Sequence, residues 1–384
     1  MKRLLVATGV ALALVGGAAT PALGVDSVTL TASATTLAYG ESVELSGQTS
    51  PPTGGQTIDI VDAAGTILAQ TTTGAAGGFS ATLTPEASVT VHAVWHPATS
   101  PEVSIGVQAI VTVRVGAVRL FDRAAVRGSV TPAHPGGTVQ VALTRDGKTV
   151  ATLRPTIGAA GGFEAVFRIE KPGTYRVRAA FVDDDHLKGT AIDGPRSTSL
   201  PSLGIGSSGI YVDLLERRLV DLNYRLAGVD GRFDFRTGDA VLAFRKVQRM
   251  PRVFGVDAGV WRALADPIRP RPKSSADGFH IEIDQTRQVV YTVDDGTITN
   301  IMHVSTGKAS TPTRDGWFRV NRKLGGFSPN RLYYPSYFDG NRAIHGWTEV
   351  PTYPASHGCV RVPYWNAQWI FGLAEYGTQV IVYH

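Results

Sequence analysis

The chain has little of what usually fixes a compartment or a partner. Its 384 residues include a single cysteine, Cys359, so no intrachain disulfide can form. Charged residues make up only 18%, and the formal excess of positive charge is +5, to which Lys2 and Arg3 contribute. So small an excess gives no footing for nucleic-acid binding, although it does not repel an acidic polymer. Past the first two dozen residues no apolar run is long enough to span a bilayer, which excludes a polytopic membrane protein. Glycine (43) and proline (22) occur at ordinary levels and 43% of residues are hydrophobic, which excludes collagen and wholesale disorder.

What is present starts with an address. Lys2 and Arg3 precede the apolar run from Leu4 to Val15, and Ala22-Leu23-Gly24 offers small residues where a signal peptidase needs them. Residues 1–24 therefore read as a secretory signal peptide, which places the mature chain in the extracytoplasmic space. A retained, uncleaved segment is the alternative and would give transient membrane association. Cys359 is far from this cleavage site and is not a lipid-bearing residue.

From Val25 to about Leu200 the sequence alternates apolar and polar residues in short runs, as in Thr57-Ile58-Asp59-Ile60-Val61 and Thr138-Val139-Gln140-Val141-Ala142, cut by Gly and Pro turns. Gly74-Ala75-Ala76-Gly77-Gly78-Phe79 returns as Gly158-Ala159-Ala160-Gly161-Gly162-Phe163. That spacing is too long for a solenoid and suits tandem seven-stranded sandwiches, expected at 25–113 and 114–199. They resemble immunoglobulin-like or carboxypeptidase-regulatory-like spacer domains. The acidic run Asp183-Asp184-Asp185 lacks the spaced ligands of a calcium loop and reads as a solvated turn.

A change follows at Ser202. Val212, Leu215, Leu219 and Leu222 fall at helical spacing, and a second amphipathic run carries Ala240, Val241, Phe244 and Val247. With Tyr224, Asp230, Gly231, Phe233, Thr237, Val256, Asp257, Trp261 and Leu264, these residues resemble the peptidoglycan-binding domain appended to cell-wall enzymes. Glu216 and Arg245 stand where that family usually has Gln, and Val260 replaces its Thr before Trp261. Most matches are core or turn positions, so the resemblance implies a small helical fold at 200–267 more firmly than glycan affinity. A proline-bearing linker, 268–276, leads to the last segment.

Residues 277–384 open with strand-like runs, His280-Ile281-Glu282-Ile283 and Gln288-Val289-Val290-Tyr291-Thr292-Val293, and predict an antiparallel β-rich domain. Near its end lie Ile344-His345-Gly346 and Ser356-His357-Gly358-Cys359-Val360-Arg361. An imidazole within hydrogen-bond reach of a thiol raises its thiolate fraction, and glycine lets backbone N–H groups approach a developing oxyanion. Cysteine acyl transfer is the reading with most chemical content. The competing readings are a small buried thiol beside two satisfied histidines, and a zinc site, which two His and one Cys without a suitably spaced carboxylate support poorly.

Ser-His-Gly-Cys-Val-Arg, preceded by Ile-His-Gly, resembles the signature of the L,D-transpeptidase family of bacterial cell-wall enzymes. Val304-Ser305-Thr306-Gly307, Thr311-Pro312-Thr313, Gly316, Phe318 and Tyr337-Phe338 extend the similarity. The resemblance implies Cys359 as nucleophile and His345 as general base. It implies that the Gly346 carbonyl holds the other imidazole nitrogen, and that the N–H groups of His357, Gly358 and Cys359 form the oxyanion hole. The side chains of Ser356 and His357 would shape the site, and Arg361 would either brace the loop or meet substrate carboxylates. The implied partners are peptidoglycan stem peptides and glycan, with no metal or organic cofactor. The whole chain is thus expected to be multidomain and mainly β: two immunoglobulin-like β-sandwiches, a small α-helical peptidoglycan-binding-like domain, and a C-terminal β-rich catalytic domain. An L,D-carboxypeptidase shares every one of these residues, and a non-catalytic wall-binding protein is the rival from another class.

Overall fold

The computed structural model describes residues 26–182, 184 and 187–384. The signal-peptide reading of residues 1–24, and two of the three aspartates at 183–185, lie outside them. Among the described residues the architecture is mainly β, in several sheets, with four helices.

The first layered unit sets one sheet, built on strands Val43–Ser50 and Gly78–Leu83, against another containing Thr57–Asp62, Val89–Trp95 and Val103–Gln108. Strand periodicity does this: Ile58 and Ile60 point inward and are fully buried, where they join Leu45, Phe79 and Val91 in one core. The second unit repeats the plan. Strands Ile110–Val115, Arg123–Thr131 and Gly162–Arg168 face Val139–Arg145, Thr174–Phe181 and Leu187–Ser197 across a core that includes Val126, Val141, Phe163 and Val177. Val107 and Gln108 pair in parallel with Leu187 and Lys188, so one ten-stranded sheet runs through both units.

The internal repeat has a physical reason at one glycine in each copy. Gly47 pairs across the sheet with Phe79, and Gly128 with Phe163. In both places the phenyl ring lies over the glycine, where a Cβ would come within 2.4 Å of the ring. The same Cβ would sit 1.9 Å from the Thr29 carbonyl oxygen in one unit and 2.1 Å from that of Thr112 in the other. No side chain fits, so the Gly-Phe pair recurs as a unit.

The helical segment folds as α1 (Ile210–Asp221), α2 (Phe235–Val247) and α3 (Ala258–Ala265). Asp234 starts α2 by accepting from the N–H groups of Arg236 and Thr237, and Asp257 starts α3 by accepting from Val260. The departures from the peptidoglycan-binding pattern are structural ties. The Glu216 carboxylate, 1% exposed, accepts from the Asp230 and Gly231 N–H groups at 3.0 and 2.9 Å and from the Thr237 hydroxyl at 2.7 Å. Arg245 donates to the Gly255 carbonyl and to Asp257.

This segment does not close a core of its own. Leu215, Phe244, Trp261 and Leu264 pack in one cluster with Val289, Tyr291, Val293, Ile298 and Ile301 of the C-terminal sheet, and with Leu120 of the second β unit. Burial of each such side chain is worth about 1.5–3 kcal/mol, so the joint is strong. Backbone pairing reinforces it: Ile301 donates to the Asn223 carbonyl at 2.7 Å and Arg225 donates back to Ile301 at 3.0 Å.

The C-terminal domain contains two sheets. The first orders its strands Thr297–His303, Val289–Asp294, His280–Asp284, Gln379–Tyr383 and Gly316–Arg319. The second orders Arg322–Lys323, Tyr333–Asp339, Arg342–Trp347 and Val360–Pro363, with α4 (Tyr364–Leu373) following directly. Ile283, Val290, Phe338, Ile344, Val360 and Ile370 bridge sheets and helix in a common core. Among the described residues no helix is long and apolar enough to cross a membrane.

Candidate active site

The last two strands of the second sheet run parallel, with Ile344 opposite Val360, His345 opposite Arg361 and Gly346 opposite Val362. Partners in a parallel pair project to the same face, so the register brings the Ile-His-Gly strand beside the Cys-Val-Arg strand. The twelve residues between these strands, 348–359, form the loop that returns the chain from one to the other. Cys359 immediately precedes the second strand and is partly exposed, while His345 is 2% exposed.

His345 is oriented by its neighbours. Its Nδ1 lies 2.9 Å from the Gly346 carbonyl oxygen, which accepts only if Nδ1 carries the proton. The lone pair is then on Nε2. Trp347 meets the ring edge-on at 5.6 Å between centroids, and Arg361 lies over Trp347 at 5.1 Å. Burial depresses the His345 pKa to about 4; the Gly346 hydrogen bond opposes this and the Arg361 charge adds to it. Burial pushes the Cys359 thiol up, countered by a backbone hydrogen bond from Ala343 and by the charges of Arg342 and Arg361. At neutral pH each group is therefore uncharged, the imidazole with a free Nε2 lone pair and the Cys359 thiol directed at the Asn341 carbonyl oxygen at 3.7 Å.

The turn before the thiol is held from within and from outside. The Ser356 hydroxyl donates to the Cys359 carbonyl at 2.6 Å and accepts the Gly358 N–H at 3.1 Å. The Gly358 N–H is thus engaged inside the turn, whereas those of His357 and Cys359 have no partner among the described residues. Gly358 has φ +110°, a conformation that favours glycine, and a Cβ there would stand 2.8 Å from Arg342 Nε. Thr313, 2% exposed, donates its hydroxyl to the Gly358 carbonyl at 3.0 Å and accepts the Gly307 N–H at 2.9 Å. The N–H groups of Ala355 and Ser356 both bond the Thr306 carbonyl.

Sequence reasoning missed Thr313 and Arg342 as members of the site. Thr313 was within reach of it, since Thr311-Pro312-Thr313 carried part of the resemblance. Arg342, joined to Asp339 at 2.9 Å, had no signal beyond its place three residues before His345. Arg361 forms no ion pair among the described residues; it stacks on Trp347 instead. Of the aromatic residues near the motif, Tyr337 and Phe338 are core, whereas Tyr353 is 61% exposed. The side chain of His357 is exposed. Among the described residues no group of three or more His, Cys, Asp or Glu side chains stands where it would hold a metal ion.

A buried, oriented imidazole on one strand and a lone thiol at the head of the neighbouring parallel strand define the class: a β-rich domain that carries a cysteine and a histidine on adjacent strands. Residues 278–382 match the YkuD family, the L,D-transpeptidase catalytic domain. Among solved structures, residues 123–326 of the L,D-transpeptidase of Xylanimonas cellulosilytica are 34% identical over 50% of this chain and 100% of that fragment, with a TM-score of 0.45. The catalytic domain of the Enterococcus faecium L,D-transpeptidase is 25% identical over 29% of this chain and 100% of that one, with a TM-score of 0.24. L,D-transpeptidase 1 of Mycobacterium tuberculosis is 21% identical over 28% and 63%, with a TM-score of 0.23. No curated protein matches. The chain belongs to the L,D-transpeptidase family through this C-terminal domain.

Proposed function

We propose that this protein forms peptidoglycan cross-links through a thioester on Cys359. The observation that carries the reading is the parallel register that sets His345, its Nδ1 bonded to Gly346, beside the strand led by Cys359. In the first step His345 Nε2 accepts the thiol proton as sulfur attacks the carbonyl carbon of the third residue of a stem tetrapeptide. The N–H groups of His357 and Cys359 stabilise the oxyanion. The peptide bond to the terminal D-alanine breaks, the proton on His345 passes to the departing amine, and a thioester remains. In the second step the side-chain amine of a neighbouring stem attacks the thioester and gives up a proton to His345. The thiol is restored and two third-position residues are joined.

Such a substrate places the protein outside the cytoplasm, and the lysine–arginine and apolar pattern of residues 1–24 supports export. The two β units then act as spacers and the helical segment as a wall-facing element, with domains drawn at 25–113, 114–199, 200–267 and 277–384. The test is mass spectrometry of the protein incubated with a disaccharide tetrapeptide, alone and with an acceptor stem. We expect a Cys359 adduct that has lost D-alanine, then a cross-linked dimer, and neither with Cys359→Ala. Released tripeptide without dimer would replace the reading with an L,D-carboxypeptidase. Absence of any adduct would favour a non-catalytic wall-binding protein.

A further inference from the structure

Lys246 lies near the C-terminal end of α2 and reaches out of the helical segment into the catalytic domain. It is 2% exposed, and its Nζ donates to the carbonyl oxygens of Gln288 and Val304 at 2.9 and 3.0 Å. The third N–H meets His303 Nδ1 at 2.6 Å. Three acceptors satisfy an ammonium group completely, and no carboxylate pairs with it among the described residues. Burial and the nearby Arg252 press the Lys246 pKa well down, with Asp239 acting the other way. A side chain so costly to desolvate is a poor device for docking alone, since an apolar residue would bind the sheet at less expense.

His303 passes the contact on. With Nδ1 accepting from Lys246, its proton sits on Nε2, which lies 2.8 Å from the Val350 carbonyl oxygen. Val350 opens the segment that feeds the Ser356-His357-Gly358-Cys359 turn. Arg252, in the connection after α2, donates to the Thr352 carbonyl at 2.8 Å and to that of Thr286 at 2.9 Å. Ser305 takes the next position, donating to the Tyr353 carbonyl at 2.7 Å. Two of the holds on this segment thus come from the helical segment, at Val350 through His303 and at Thr352 directly.

We propose that the helical segment positions the catalytic turn, with Lys246 and Arg252 as positioning residues that fasten residues 350–356 from outside the catalytic domain. The catalytic half of this inference rests on Cys359 being the nucleophile; the mechanical half does not.

The test uses the full chain carrying Lys246→Met or Arg252→Ala, each judged folded by a cooperative melting transition. Hydrogen exchange of the Ala355, Ser356 and Gly358 amides should quicken about tenfold or more, while amides of strand His280–Asp284 exchange as before. Acylation by a stem tetrapeptide should lose about tenfold in kcat with KM nearly unchanged, because the turn is misplaced while substrate contacts remain. Exchange at 355–358 unchanged in a folded variant would overturn the proposal. If Lys246→Met fails to fold, Arg252→Ala decides. If the unsubstituted chain forms no acyl-enzyme, the transpeptidase reading fails by itself and exchange still decides the positioning.

Discussion

At the scale of single residues the proposed chemistry turns on the protonation of His345. An imidazole in water titrates near 6.5, but burial lowers this one to about 4. The proposed mechanism uses the base form, so it predicts activity above that value, lost as the pH falls through it. The pH profile of kcat/KM for Cys359 acylation should therefore show no inflection near 6.5, with an acid limb centred near 4. Above that limb the rate should run level through neutral pH, because burial holds the thiol above its ordinary value and so keeps its ionisation on the alkaline side. His345→Ala should lower the rate at pH 7 by roughly 10²- to 10⁴-fold and abolish the acid limb. A limb at 6.5 in the unsubstituted protein would mean that the ring is not buried when it works.

At the scale of elements, the turn depends on a hydroxyl from a distant loop. Thr313→Val keeps the shape of the side chain but removes the donor to the Gly358 carbonyl and the acceptor for the Gly307 N–H. A buried N–H left without a partner costs about 1–3 kcal/mol. The Gly358–Cys359 peptide plane, whose N–H the proposed mechanism aims at the oxyanion, also loses its anchor. Removing an oxyanion donor outright costs 10²–10³ in kcat, so a donor merely loosened should cost about tenfold, with KM little changed. Thr313→Ser, which restores the hydroxyl, should recover most of the rate; failure to recover would assign the loss to packing.

The same element shows what a sequence makes legible. Cys359, Gly358, His357 and Ser356 are contiguous, and His345 lies a short loop away, so their pattern is visible without a fold. The Thr313 contact spans 45 positions and the Lys246–His303 contact spans 57. Neither has a periodicity to betray it. The alternation at Thr57–Asp62 exposes its inward face directly, because one side of that sheet meets solvent. The strand Val289–Asp294 is buried on both faces, and its second face is covered by helices that precede it in the chain. A strand pattern reports that a face is covered but not by what.

At the scale of the whole molecule, the covered faces decide how the parts cooperate. Leu120 of the second β unit belongs to the same core as Val212, Leu215 and Trp261, and Phe121 lies 6.3 Å from the Trp261 ring. Lys171 adds a hydrogen bond to the Ala265 carbonyl at 2.7 Å, and Arg218 stacks over Phe121 at 5.0 Å. The second β unit is therefore seated on the helical segment, and through it on the catalytic domain, rather than strung loosely before it. A chain beginning at Leu200 loses Leu120 and Phe121 and exposes Trp261. Loss of large side chains from a packed core costs about 2–5 kcal/mol, which for a remainder of this size lowers the melting temperature on the order of 5–15 °C. The catalytic turn is held by Thr306, Thr313, Lys246 and Arg252, all of which remain. Calorimetry of the shortened chain should thus show the lower melting temperature, while acylation per folded molecule at 25 °C stays within about twofold of the full chain. A fall in acylation as large as that expected for Arg252→Ala would mean that the β units reach the active site through the helical segment, and that the molecule works as one coupled body.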